Sequence, residues 1–236
     1  MVMRPDRIAA ARPGWLEPEP TPLEQLLLSE FTHRMANDFS LACSAIRLQS
    51  RDISDPGTVE LLDALAHRLE ALGRLQRLLL CPPPGAAMEL GLAMQELCDA
   101  ISEARFGPNA RAVELEMGPD QIALASPRAW RILLIVTELL TNAARHGRRQ
   151  GSEAGAVRVS LASCPRDIVC VVHNEGPNQP KSGQGHGTRI VEALIAELDG
   201  RIQFSADAGG TSVRLVAPRL PAGCIAPTAL HNLADP

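Results

Sequence analysis

No two of the six cysteines in this 236-residue chain form a CxxC pair. Cys43, Cys81, Cys98, Cys164, Cys170 and Cys224 are scattered, which argues against a zinc site and against a disulfide framework. Each is flanked mostly by apolar or small residues, the setting of a reduced, buried thiol, so the expected compartment is the cytoplasm. Basic excess is missing as well: 23 Lys and Arg against 27 Asp and Glu give a formal net charge of −4. Without a basic field, nucleic acid is a poor expected partner. No stretch approaches the roughly 20 consecutive apolar residues of a membrane-spanning helix. Residues 1–20 lack the apolar segment of a secretory peptide, carry Arg4, Asp6, Arg7, Arg12, Glu17 and Glu19, and read as a flexible leader. No internal repeat is visible, and no classical sensor domain is expected within these residues.

Against these absences stands one highly patterned stretch. From Ala129 onward, Ile132, Leu133, Ile135, Val136, Leu139, Leu140 and Ala143 recur at helical spacing and predict one broad buried face. Glu138, Asn142 and His146 fall at i, i+4 and i+8, a polar stripe along the same helix. Such a stripe is ordinarily a solvated edge. Its company differs here. Asn174-Glu175-Gly176-Pro177 is followed by Gly183-Gln184-Gly185-His186-Gly187, then by an amphipathic helix from Thr188 to Leu198 that Gly200 stops. Glycines before a helix start let bare backbone N–H groups approach a phosphate at the positive end of the helix dipole. Taken alone, that glycine run is equally a loop. An Asn carbonyl on the neighbouring helix can ligate Mg²⁺, which takes one or two protein oxygens and completes its shell with water and phosphate.

Upstream, Thr21 and Pro22 make a cap and a first helical position. Leu23, Leu27, Phe31, Met35, Ala42, Cys43 and Ile46 then give the apolar seam of a helix that runs to about Ser50. Asp52 to Gly57 turns the chain. Val59, Leu62, Leu65, Leu69, Leu72, Leu75 and Leu79 predict one face of a second helix, which Pro82-Pro83-Pro84-Gly85 ends. The two form an antiparallel hairpin that cannot bury both seams alone, so a homodimer with a four-helix bundle is expected, an intramolecular partner being the alternative. His33 stands two residues from Phe31 and Met35, about 200° round the helix and facing solvent. An exposed imidazole, partly neutral near pH 7, is a competent nucleophile for a phosphoryl group. On its own it is more often an idle surface residue.

The rest of the chain reads as a two-layer unit. Met88 to Arg105 is a predicted helix with Leu92, Leu97 and Ile101 on its apolar side, and Val113 to Met117 a half-buried strand. Val157 to Leu161 and Ile168 to Val172 pair around Pro165-Arg166-Asp167; Arg201 to Ser205 and Ser212 to Val216 pair around Asp207 to Gly210. Strands and helices segregate, so the fold class is α+β: a helical hairpin followed by an α/β sandwich, a mixed sheet under three helices. The expected organisation is a leader at 1–20, the hairpin at 21–84, the sandwich at 85–218 and a proline-spaced tail at 219–236.

In order and rough spacing, Glu138 to Gly147, Asn174 to Pro177, Gly185-His186-Gly187 and Gly209-Gly210-Thr211 resemble the N, D, G and terminal glycine-threonine boxes of the GHKL ATPases. That class includes histidine kinases, gyrase-type ATPases and anti-sigma serine kinases. His33-Arg34 with Asn37, then Ile46 to Arg51 and Leu65 to Leu80, resembles the phosphoacceptor hairpin of the HWE-related, HisKA-2-like histidine kinases. The resemblance covers Leu23 to Pro218. It implies a soluble kinase that uses ATP and Mg²⁺, autophosphorylates His33 and passes the phosphoryl group to the receiver aspartate of a response regulator. It further implies Asn142 as the Mg²⁺ ligand, Glu138 as a base or the orienter of one, and His146 near the phosphates. Asn174, Gly176, Gly183, Gly185, Gly187 and Thr211 would line the nucleotide. Asn37, one turn beyond His33, would position water for dephosphorylation.

The chain departs from the family at four points. Asn174 stands where an Asp usually accepts the adenine amino proton; its oxygen still accepts, without charge and therefore more weakly. Six residues separate Gly176 from Gly183, a short lid. Trp130 is followed by Arg131 and Ile132, so the tryptophan-x-glutamate signature is missing, and Ala36 replaces a lysine of the histidine box. These departures keep a second function open: a histidine phosphotransferase adaptor with a degenerate ATP module, relaying phosphate between receiver domains through His33. A third, an anti-sigma-type binding platform, is disfavoured by the His33 hairpin. The retained Glu138, Asn142 and glycine run favour the kinase.

Overall fold

The computed structural model describes residues 22–80, 86–106, 113–146, 157–175, 186–207 and 209–219. The expected leader, Thr21 as a cap and the tail beyond Arg219 lie outside them. Helices α1 (Pro22–Ser50) and α2 (Pro56–Leu78) form the hairpin. Asp55 starts α2: its carboxylate accepts from the Thr58 amide at 2.9 Å and the Thr58 hydroxyl at 2.6 Å, with Pro56 following at the first helical position. Those hydrogen bonds hold the Asp55 carboxyl below its ordinary range.

The seam of the hairpin is built from small residues. Ala36 and Cys43 of α1 are buried against Ala66 and Gly73 of α2, and the Cys43 thiol donates to the Ala66 carbonyl at 3.4 Å. Arg47 and Glu70 close the seam with an ion pair at 2.7 Å. Of the expected α1 seam, Cys43 is buried and Met35, Ala42 and Ile46 are half-buried, whereas Leu23, Leu27 and Phe31 are 63%, 58% and 63% exposed and correct its first half. Small side chains let the helix backbones approach, which rotates the long leucines outward. On α2 the seven expected apolar residues divide as well. Leu65 is exposed, whereas Leu75 is buried with Ala71 on a second face, where Leu78 and Leu79 also pack.

That second face joins the α/β layer. Strand β1 (Ala87–Glu89) pairs antiparallel with β3 (Ala123–Ala125), and helix α3 (Leu90–Ile101) continues into a π-helical turn at Ser102–Phe106. The single helix expected over 88–105 is thus shortened at its start. Glu89 ends the strand by accepting from the Leu92 and Ile122 amides, capping α3. Leu92, expected on the buried side of α3, is 71% exposed; Leu90, Met94, Leu97, Cys98 and Ile101 form that side. Arg68 of α2 donates to the Ala104 carbonyl in the π turn at 3.3 Å, and Arg74 pairs with Glu103. Trp130, on helix α4 (Ser126–His146), donates to the Leu79 carbonyl at 2.9 Å.

Strands β2 (Val113–Met117), β4 (Val157–Ser163), β5 (Asp167–Glu175), β6 (Arg201–Asp207) and β7 (Gly210–Pro218) form one mixed sheet in the order β2-β4-β5-β7-β6. Only the β2–β4 pair among them is parallel. Alternation sends Val157, Val159 and Leu161, Ile168, Cys170 and Val172, and Val213, Leu215 and Ala217 to one buried face. Helices α3, α4 and α5 (His186–Glu197) cover it with Leu97, Ile132, Val136, Leu140, Val191 and Ile195. Each large side chain so buried contributes roughly 1.5–3 kcal/mol. Buried Arg128 staples the layer's edge, donating to the Leu198 carbonyl at 2.7 Å and to the Pro218 carbonyl at 2.6 Å.

Cys43, Cys98 and Cys170 are free, buried thiols; burial pushes Cys98 and Cys170 up to about 12, which leaves them unreactive. Cys164, expected buried, is exposed in the turn between β4 and β5. Cys81 and Cys224 lie outside the described residues. Among the described residues no helix is long and apolar enough to cross a membrane.

Candidate functional site

The site begins where the sheet's apolar phase turns polar. Along β5 the inward positions are Ile168, Cys170 and Val172, and the next is Asn174. Its register partners are Val157 on β4 and Thr211 on β7, both in the inward phase of their own strands. Asn174 and Thr211 are therefore neighbours under the helix layer. The Asn174 Oδ1 atom is buried and has no hydrogen-bond partner. An empty buried acceptor costs about 1–3 kcal/mol, so the position suits a donor that none of the described residues supplies.

Gly210 fixes the backbone beneath that amide. Its φ of +148° lies where side chains are disfavoured, and a Cβ there would stand 2.2 Å from the Asn174 carbonyl oxygen. The turn before it is tied by Asp207, whose Oδ1 accepts from the Gly209 amide at 2.8 Å and the Gly210 amide at 3.1 Å.

The opposite wall is α4. Glu138 and Asn142 are half-buried on the flank facing α5. A Cβ on Gly187 would lie 2.6 Å from Glu138 Oε2, so the first turn of α5 rests on that carboxylate. Arg131, seven residues before Glu138, pairs with Glu197 at the far end of α5, and the two helices consequently run antiparallel. The first turn of α5 carries the positive end of its dipole, which attracts an anion beside Glu138 and Gly187.

Two pairs of expected site residues are thus brought together: Asn174 with Thr211, both expected at the nucleotide, and the expected base Glu138 with Gly187. Gly176, Gly183 and Gly185 lie outside the described residues, as do the expected lid and the side chain of His146, whose backbone ends α4. The Arg131–Glu197 pair was not anticipated; its only sequence signal is that Arg131 precedes Glu138 by two helical turns.

His33 and Asn37 are exposed on α1, one turn apart. They are not joined to the nucleotide wall within this arrangement, because α2 faces α1 with Ala66 and Gly73 and the α/β layer with Ala71 and Leu75. Two turns beyond His33, Ser40 opens a cleft of about 280 Å³ that Phe39, Gly73, Arg74 and Arg77 also line. Its arginines were missed in the sequence because the small-residue seam that turns them toward α1 was itself misassigned.

Comparison with known proteins covers both parts. Residues 30–105 match the family described as histidine kinase, and residues 101–217 the family described as histidine kinase-like ATPase domain. Blue-light-activated histidine kinase 1 of Erythrobacter litoralis is 25% identical over 205 residues, 83% of this chain and 53% of that protein. The sensor histidine kinase PdtaS of Mycobacterium tuberculosis is 26% identical over 200 residues, 81% of this chain and 39% of that protein. The chain therefore spans only about half, or less, of the curated relatives it matches. The histidine kinase domain of the Erythrobacter litoralis EL346 blue-light-activated kinase superposes with a TM-score of 0.55 at 24% identity, over 84% of this chain and 95% of that one, a likeness of fold. A phosphoacceptor-type helical hairpin followed by an ATPase-type sandwich, matched in that order over residues 30–217, means that the chain belongs to the histidine kinase family.

Proposed function

We propose that this chain is an ATP-dependent protein-histidine kinase that phosphorylates His33 and hands the phosphoryl group to an aspartate of a response-regulator receiver domain. The observation that carries the reading is the buried, partnerless Asn174 oxygen beside Thr211, a ready acceptor for an adenine amino group in a family whose second domain is an ATPase. The first turn of α5 would hold the phosphates. Mg²⁺, when bound, neutralises phosphate charge, and the Asn142 amide oxygen is the group of this chain that would hold it.

In the first step a neutral nitrogen of His33 attacks the γ-phosphorus, a nitrogen–phosphorus bond forms, and the bond to the bridging oxygen breaks as ADP leaves. Glu138 would orient the imidazole or accept its remaining N–H in a hydrogen bond. In the second step a receiver carboxylate attacks the same phosphorus and His33 is released. Positioning and charge neutralisation supply most of the catalysis in such transfers.

A second copy of the chain completes the hairpin in this reading. Leu27, Phe31, Leu41 and Leu48 recur along one side of α1 and are exposed, a run of large apolar side chains that a second copy would cover. Because α2 stands between α1 and the sandwich, His33 receives its phosphoryl group from the partner subunit, or after α2 and the sandwich separate.

Calorimetric titration with Mg·ATP tests the site. The native chain is expected to bind, and Asn142→Ala to bind at least about tenfold more weakly, while light scattering finds the same dimer. Parent-like affinity in Asn142→Ala would remove the metal assignment. One observation favours the second reading: Asn174 lacks the charge that strengthens an adenine contact. No binding of Mg·ATP, together with acceptance of phosphate by His33 from a phosphorylated receiver, would make the chain a phosphotransferase adaptor.

A further inference from the structure

Resting on the nucleotide reading of this site, we propose that Asn174 makes the base pocket accept both purines, so that Mg·GTP binds alongside Mg·ATP. The argument starts from what the two bases present. Adenine offers an amino donor beside a ring-nitrogen acceptor. Guanine offers a carbonyl acceptor beside a ring N–H donor, the same two places with the roles reversed. A carboxylate has acceptors only, so it matches the adenine amino group and repels the guanine carbonyl.

An amide has one acceptor and one donor group of nearly equal shape, and a half-turn about its last side-chain bond exchanges them. In one orientation the Asn174 oxygen accepts from the adenine amino group while its NH₂ donates to the ring nitrogen. In the other the NH₂ donates to the guanine carbonyl while the oxygen accepts from the ring N–H. The strand itself is held, since Asn174 is paired on both sides, with Val157 and with Thr211, and Gly210 sits directly against its carbonyl. The amide oxygen is buried without a partner, so either base would satisfy an acceptor that none of the described residues occupies. Thr211 adds a hydroxyl, which donates or accepts as its neighbour requires.

The test compares Mg·ATP and Mg·GTP on the full native chain by calorimetry, then repeats both on Asn174→Asp, with circular dichroism to establish that the variant is folded. The expected result is native affinities within about tenfold of each other, and a variant that prefers Mg·ATP by at least about 100-fold. The native comparison decides even if Asn174→Asp does not fold. Native binding of Mg·ATP with Mg·GTP weaker by about 100-fold or more would overturn the dual pocket and leave the ATP reading standing. A folded variant as tolerant of Mg·GTP as the parent would overturn Asn174 as the selecting residue. Binding of neither nucleotide by the native chain would overturn the nucleotide reading itself, and this inference with it.

Discussion

His33→Ala is expected to lose incorporation of label from γ-labelled ATP by roughly 10³-fold or more, with Mg·ATP affinity unchanged within about twofold. Alanine has no lone pair to attack phosphorus, so the effect falls on chemistry. His33 is exposed, so removing its ring opens no cavity and leaves the small-residue seam of Ala36, Cys43, Ala66 and Gly73 intact. The proposed nucleotide wall lies on α4, α5, β5 and β7, away from α1, which is why binding should survive. In the parent, the label should be lost in acid and kept in base, because a protonated phosphoimidazole is a good leaving group. Full labelling of His33→Ala would place the acceptor elsewhere, and an acid-stable label would point to a hydroxyl.

The second large effect is structural. Gly210→Ala places a methyl group 2.2 Å from the Asn174 carbonyl oxygen, 3.0 Å from its carbonyl carbon and 3.1 Å from Glu175 Cα, at a φ of +148°. All three atoms are backbone of β5, which is paired on both edges, so nothing nearby can rotate away. The expected cost is about 3–5 kcal/mol, a large part of a stability that is typically about 5–15 kcal/mol. A fall in Tm of roughly 10 °C would accompany it. Gly209→Ala is the control, since its added carbon meets only the Asp207 side chain, at 3.2 Å, and should cost less than about 1 kcal/mol. Thermal denaturation of the two variants separates them; a Gly210→Ala chain that melts with the parent would dismiss the close approach as a constraint.

Elements with long, strict periods were legible. Helix α4 announced its buried face through Ile132, Leu133, Val136, Leu140 and Ala143, and its polar flank through Glu138 and Asn142; the structure adds only an earlier start at Ser126. The hairpin was legible as two helices but not as a seam. Leucine counts favour the wrong face when Ala and Gly make the contact, because close backbone approach is invisible to hydropathy. Strands β1 and β3, three residues each, are too short to show alternation, and Met88 reads as a helical residue. Strand β5 was expected to end at Val172, yet its phase continues through Asn174, and that continuation places the amide in the site. Of the glycine pair 209–210, nothing in the letters says which one bears the strained φ; the register with Glu175 decides it. The ion pair of Arg131 with Glu197 joins residues 66 positions apart and has no local signature.

Helix α2 carries none of the proposed chemistry, yet both of its sides are committed. Its Ala66 and Gly73 side belongs to the hairpin, and its Leu75 side, with Leu78, is continuous with the core that holds Ile132 and Val136. Helix α1 contributes no residue to that core cluster, and its outer leucines are the ones left for the second copy of the chain. The hairpin is therefore unequal in its resistance to opening. Within one chain, α2 is tied both to its neighbour and to the sandwich core, whereas the described part of α1 is tied through its seam with α2. In the proposed reaction the acceptor His33 would ride on the arm with fewer ties to the sandwich, so that its movement would disturb the proposed nucleotide wall least.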